Sequence, residues 1–252
     1  KRTKNLKQNL KLISLFSSFR VTAGIAYEKM ALSSSASEKY DFVRKGRKIL
    51  GAALNYMDIV RSRNVAVPAE PLLFLKPTTS YITEGNPIVI PKVFTKVAHE
   101  VELGVIIGKQ CKNVKKEEAF NYISGYCLAL DMTAQCNLGL ARQNGHPWSL
   151  GKGFDTSTPV SGFLSANDIK DPHKVSLWLK VNGQLRQQGN TEDLIFKVDD
   201  LIAYSSKYMT LEPNDLILTG TPDGALPVKA GDVIEAGIGD NLKIVFEVKD
   251  EV

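Results

Sequence analysis

The sequence holds only three cysteines and three histidines in 252 residues. Cys111, Cys127 and Cys136 are an odd number for a disulfide framework and lack metal-ligand spacing, so reduced thiols in an intracellular compartment are expected. Long apolar runs are also missing. Nothing approaches the roughly 20 residues that cross a bilayer, so no membrane insertion is expected. Acids are absent from residues 1–27, which carry six bases (Lys1, Arg2, Lys4, Lys7, Lys11, Arg20). Beyond that segment the charges nearly balance, although the whole chain carries +5. The basic footprint of a nucleic-acid binder is therefore lacking. No internal repeat is found.

What remains is ordinary globular composition, 43% hydrophobic and 23% charged, with enough length for one large domain or two small ones. In the basic N-terminal segment Leu6, Leu10, Ile13, Phe16 and Phe19 fall on one helical stripe opposite the lysines. That is the pattern of a mitochondrial transit peptide, with a basic surface tail as the alternative. Met30 offers an internal start that would leave a cytosolic form beside the matrix one. "ALSSSASEK" then reads as a linker. Residues 1–39 are thus taken as leader and linker, and 40–252 as a single domain.

That domain is expected to be a β-rich α+β fold. "KILGAAL", "PLLFLKP", "NPIVIPK" and "HEVELGVIIG" read as strands. "KKEEAFNYISGYCLALDMTA" begins as a helix and becomes a strand ending near Asp131. Asn182-Gly183 between two alternating stretches signals a hairpin. "VDDLIAYSSKYMTL" reads as a helix with Leu201, Ile202 and Tyr208 toward the core. "DLILTGTPDG", "GDVIEAGIG" and "NLKIVFEV" close the chain as strands.

One strand poses a chemical problem. In "HEVELG", Glu100 and Glu102 are two residues apart and so share a face, while Val101, Leu103 and Val105 take the other. Two acids side by side repel, and burying them unpaired is costly. Asp131, at the end of the apolar run "YCLALDM", is a third acid. Such an oxygen-only set suits a hard cation. Lys152, a lone base in "LGKGFDTSTPV", is the candidate counter-charge. As a bare motif, Glu-x-Glu also occurs on half-exposed strands with a solvated face.

The segments "FLKPTTSY", "HEVELGVIIG", "GYCLALDMTA", "GKGFDTSTPVSGF", "LWLKVNGQLRQ" and "ILTGTPDG" occur in this order. Together they resemble the fumarylacetoacetate hydrolase superfamily, from about Lys48 to Val248. The resemblance implies a mixed β-sheet roll with peripheral helices, usually dimeric, so a homodimer is expected. It implies Mg²⁺ or Mn²⁺ on Glu100, Glu102 and Asp131, an active-site lysine at Lys152 and a substrate-binding threonine at Thr221. Its members cleave acylpyruvates, decarboxylate oxaloacetate or interconvert oxaloacetate tautomers. The partner implied is a small 2-oxo acid, chelated through its keto and carboxylate oxygens and activated toward an enolate.

Two departures from the family pattern bear on the reaction. Hydrolytic members activate water with a His–Glu pair on a short lid, where this chain has Ile59 and Ser62. They also carry an anion-binding Arg where this chain has Gln135, a substrate-side position without charge. None of the histidines is an obvious replacement. His99 points away from the acids, His146 is a loop residue that could approach the site, and His173 is structural. Hydrolysis is therefore expected to be weak and tautomerisation or decarboxylation to survive. The alternative is a non-catalytic paralogue that keeps the metal site.

Overall fold

A strand buried on both faces must lie between packed layers, and every residue of Val101–Ile107 is buried. The computed structural model describes residues 38–252 and places this strand near the middle of a large sheet. The expected leader helix, the Met30 start and the linker up to residue 37 lie outside the described residues.

In chain order the elements begin α1 (Asp41–Lys45), β1 (Ile49–Ala53), α2 (Met57–Ser62), β2 (Leu72–Lys76), β3 (Tyr81–Thr83), β4 (Ile88–Ile90), β5 (Val97–Ala98) and β6 (Val101–Ile107). They continue β7 (Ile123–Leu130), β8 (Thr133–Ala134), α3 (Gln135–Asn144), α4 (Ser149–Lys152), β9 (Thr158–Val160), β10 (Ser176–Val181) and β11 (Gln184–Asn190). The last are α5 (Val198–Tyr208), β12 (Leu216–Leu218), β13 (Pro227–Val228), β14 (Val233–Ile238) and β15 (Leu242–Asp250).

Seven strands form a mixed sheet in the order β2-β1-β12-β6-β7-β9-β3. β1 runs parallel to β12 and β3 to β9; the central pairs β12–β6 and β6–β7 are antiparallel. Five strands form a second sheet, β11-β10-β14-β15-β4, and three short ones a third, β13-β5-β8. The main core lies between the first two. Leu103, Val105, Leu128 and Leu130 cluster there with Leu177, Leu179, Ile234 and Phe246. Each such side chain contributes about 1.5–3 kcal/mol by leaving water. The other face of the large sheet is covered by Phe42, Ile49, Ile106, Cys127 and Leu216. This is the expected sheet-rich α+β architecture.

Asn182 and Gly183 join β10 to β11 with φ of 52° and 76°, the left-handed pair that a tight hairpin turn needs. Two local expectations need correction. "KKEEAF" forms a 3-10 turn, Lys116–Tyr122, rather than an α-helix. Only Ala119 in it is buried, so no apolar stripe holds a wider helix in place. Tyr208 is 64% exposed, whereas Leu201 and Ile202 are fully buried. It is the last residue of α5, and its ring packs on Tyr204 at 5.2 Å instead of reaching the core.

Candidate metal centre and active site

The antiparallel pairing of β6 and β7 builds the site. Val101 stands opposite Leu130, and the Asp131 N–H donates to the Glu100 carbonyl at 2.8 Å, so Glu100 and Asp131 face each other at the end of the ladder. Glu102 lies one pleat further in, on the same face as Glu100. One oxygen from each of the three carboxylates lies within 4.8 Å of the others. Glu102 and Asp131 are buried and Glu100 half-buried.

Two ammonium groups reach this cluster. Lys152 Nζ donates to Glu100 Oε2 at 2.8 Å, to Thr133 Oγ1 at 2.7 Å and to Asp131 Oδ2. Lys76 Nζ donates to Asp131 Oδ1 at 2.6 Å and to the Ser157 carbonyl at 3.0 Å. Lys152 is not the lone base in a loop that the sequence suggests. It ends the short helix α4, where the Ser157 hydroxyl donates to its carbonyl at 3.0 Å. Its Nζ stands 4.5 Å from the centre of the Phe74 ring. That ring lies directly on Gly51, where an added Cβ would come within 2.2 Å of Phe74 Cζ.

Lys76 escaped the sequence reading. It sits inside the quoted segment "FLKPTTSY", but a lysine closing an apolar strand before a proline looks like a solvated strand end. The usable signal was charge arithmetic: three buried acids ask for more than one base.

Glu102 is the acid that neither lysine reaches. Its single partner among the described residues is the Gly220 N–H, at 2.6 Å. Gly220 has a φ of 102°, and a Cβ there would meet Asn55 Cβ at 2.9 Å, so the close approach of this N–H requires glycine. Burial raises the Glu102 pKa well above the ordinary carboxylate value, and repulsion from Asp131 and Glu100 adds to the rise. Burial raises Glu100 too, against the pull of Lys152. Burial alone would raise Asp131, but Lys152 and Lys76 hold it below its ordinary value. Burial works against the charge on Lys152, yet Asp131 and Glu100 outweigh it and raise its pKa. For Lys76 burial prevails over Asp131, and the pKa is lowered.

This donor set fits a hard divalent cation. The ligand atoms are all carboxylate oxygens, they converge, and one of them lacks a positive partner. A cavity of about 30 Å³ opens over the three acids, room for an ion or a water and not for a four-carbon acid. Lys152, Thr221, Ile59, Phe74, Arg63 and Arg142 also line it.

Thr221 lines the same cavity as the three acids. Its hydroxyl accepts from Gln187 Nε2 at 2.8 Å, and Gln187 Oε1 lies 2.9 Å from His99 Nδ1. His99 thus faces away from the acids and meets Gln187 instead. Gln135 opens α3 and does not border the cavity. Ile59 borders it from the lid helix α2, whereas the Ser62 hydroxyl turns back to donate to the Ile59 carbonyl at 3.2 Å. No histidine lines this cavity; His146 lies in a neighbouring, wider cleft.

The fumarylacetoacetate (FAA) hydrolase C-terminal family matches residues 48–249. A mitochondrial oxaloacetate tautomerase of Homo sapiens is 47% identical over 220 residues, which cover 87% of this chain and 98% of the relative. A mitochondrial oxaloacetate decarboxylase of Dictyostelium discoideum is 48% identical over 209 residues, 82% of this chain and 96% of that one. Among solved structures, a fumarylpyruvate hydrolase from Pseudomonas aeruginosa in complex with Mn²⁺ and pyruvate has a TM-score of 0.76 at 28% identity. That match covers 81% of this chain and 90% of the other. With its matched length, its fold and its ordered motifs, the chain belongs to the fumarylacetoacetate hydrolase family.

Proposed function

We propose that this protein is a mitochondrial, divalent-metal-dependent enzyme acting on oxaloacetate or a related short acylpyruvate. Tautomerisation and decarboxylation are its main reactions, and C–C hydrolysis is the weaker one. The observation that carries this reading is the buried carboxylate triad, with Glu102 unpaired and Lys152 beside it. The relatives named as oxaloacetate enzymes support the substrate class.

Glu100, Glu102 and Asp131 would hold Mg²⁺ or Mn²⁺. When bound, such an ion supplies Lewis acidity to the keto oxygen of a 2-oxo acid and favours its enolate. Three carboxylates and two ammoniums leave the site with one net negative charge. A divalent ion turns this into one positive charge, which the single carboxylate at the keto end of a 2-oxo acid cancels.

Lys152 acts in this scheme as a fixed positive charge. Its three N–H donors are already engaged by Glu100, Asp131 and Thr133, so it stabilises charge developing nearby without first reorienting. Lys76 anchors Asp131 from behind. Thr221, held by Gln187, offers its hydroxyl to a substrate oxygen. Ile59 brings no base to the cavity for activating water, and this sets hydrolysis behind enolate chemistry. The named relatives give no support to a chain that keeps the metal site and does no chemistry.

A homodimer is part of the same reading. Val93, Leu140 and Leu150 are 79%, 59% and 70% exposed around one apolar cleft, which suits a second copy. The mitochondrial relatives and the basic, acid-free segment 1–27 support a mitochondrial location.

The test follows oxaloacetate tautomerisation, oxaloacetate decarboxylation and acetylpyruvate cleavage separately, with Mn²⁺, with Mg²⁺ and with EDTA. Metal-dependent turnover of oxaloacetate is expected. Turnover that EDTA leaves untouched removes the metal from the reading, and no turnover of any of the three removes the enzyme.

A further inference from the structure

Two guanidinium groups face the carboxylate cavity from its rim. Arg63 directly follows the lid helix α2, and Arg142 lies in the last turn of α3; both line the cavity over Glu100, Glu102 and Asp131. Neither guanidinium forms a hydrogen bond or ion pair among the described residues. Arg142 is steadied by Trp148, with its Cζ 4.7 Å from the ring centre. Phe74 and Arg142 also line a wider cleft of about 730 Å³ next door, so Arg142 stands where the small cavity meets open space.

The charge count leaves these arginines work to do. A divalent ion and a monocarboxylic 2-oxo acid already bring the inner site to neutrality. A second carboxylate on the acid adds a negative charge that no inner lysine answers. Partial burial lowers the Arg142 pKa, repulsion from Arg63 adds to this, and Glu100 pulls the other way. A guanidinium nevertheless stays charged throughout the working pH range.

We infer that Arg142 and Arg63 form a subsite for the distal carboxylate of a dicarboxylic 2-oxo acid, and that they set the preference for such acids over 2-oxo acids with a neutral tail. This deepens the function proposed above and rests on its placing the keto end over the three acids. A planar guanidinium offers paired donors to a carboxylate, and two of them clamp it. The lid helix and the Arg63 side chain must move to admit the acid, which makes Arg63 a closing contact and Arg142 a fixed one.

The experiment compares the wild type with R142Q, R63Q, the double variant and R142K. Trp148, under Arg142, reports binding by fluorescence. Each protein, with Mn²⁺ present, is titrated in a stopped-flow instrument with oxaloacetate and with pyruvate, which lacks a distal carboxylate. KM values for oxaloacetate and acetylpyruvate are measured in parallel. A hydrogen bond to a charged group is worth about 1.5–3 kcal/mol, so each Arg→Gln change should weaken oxaloacetate relative to pyruvate about 10- to 150-fold. R142K should recover part of that loss, because it keeps the charge and gives up the paired donors.

An unchanged oxaloacetate-to-pyruvate ratio in both single variants and the double variant overturns the subsite, and oxaloacetate turnover in the wild type would leave the proposed function standing. A protein that never turns oxaloacetate over, yet binds it through these arginines more tightly than pyruvate, keeps the subsite and loses the function. A protein that binds neither acid loses both.

Discussion

Asp131 receives an ammonium on each of its oxygens, Lys76 on one and Lys152 on the other. The two lysines have different duties. Lys152 borders the cavity, whereas the Lys76 side chain is fully buried behind it and also donates to the Ser157 carbonyl. Removing one partner from a buried ion pair leaves an uncompensated charge and costs about 3–5 kcal/mol. K76M should therefore lose stability of that order in urea unfolding. A K76M protein of wild-type stability would show that Lys152 alone suffices for Asp131. His99 gives a pH prediction at the same scale. Burial lowers its pKa from the ordinary 6.5, against the Gln187 hydrogen bond, and its Nε2 has no partner among the described residues. The folded state thus disfavours the imidazolium. Stability from this source is fully present above pH 6.5 and is lost as pH falls from there toward the lowered folded-state value. The wild type should lose urea midpoint across that acidic window, and H99Q should lose less of it. Equal slopes for the two proteins would show that His99 does not titrate with unfolding.

The lid helix Met57–Ser62 concentrates the difference between this chain and a hydrolase. Ile59 packs with Tyr56 and Leu194 and also meets the cavity. Installing a base as Ile59→His with Ser62→Glu should raise acetylpyruvate cleavage by about 10²–10⁴-fold, the usual contribution of a positioned general base. The oxaloacetate tautomerisation rate should change less, because Lys152 and the three acids stay in place. The cost should be lower stability, since polar groups enter an apolar cluster. Steady-state kinetics on both substrates decides it. If cleavage does not rise in a double variant that still binds pyruvate, the missing pair is not what limits hydrolysis. At this scale much was readable in advance. Alternation placed both glutamates on one face of β6, and Asn182-Gly183 announced its turn. What alternation cannot carry is pairing. Ile49 lies beside Leu216, and Tyr81 beside Thr158, through contacts that no local pattern encodes. Lys76 and Arg142 stayed hidden for the same reason: their meaning depends on what distant strands and helices bring opposite them.

Across the whole molecule, the site draws on residues from Ala52 to Thr221, held by β1, the lid helix α2, β2, β6, the end of β7, α3, α4 and the turn after β12. These elements belong to one sheet or border it, so an ion held there binds the folded state. Binding to the folded state alone stabilises by RT ln(1 + [L]/Kd), about 2.7 kcal/mol at a hundredfold excess over Kd. For a domain of this size that corresponds to a rise in Tm of roughly 5–10 °C. Mn²⁺ or Mg²⁺ should raise the unfolding temperature by this order, and EDTA should return it to the baseline. E102Q separates the metal from its surroundings. Glu102 is buried, repelled by two neighbouring acids, hydrogen-bonded among the described residues only by the Gly220 N–H, and attracted by Lys152 only at longer range. In the absence of metal its carboxylate is a cost to the fold, and the neutral amide removes that cost while keeping the shape. E102Q should therefore match or exceed the wild type in Tm without metal, yet gain nothing when metal is added. An E102Q protein that still gains several degrees from Mn²⁺ would place the ion elsewhere. One that is much less stable than wild type without metal would mean that Glu102 already has a compensating charge, and the case for an ion at this triad would fall with it.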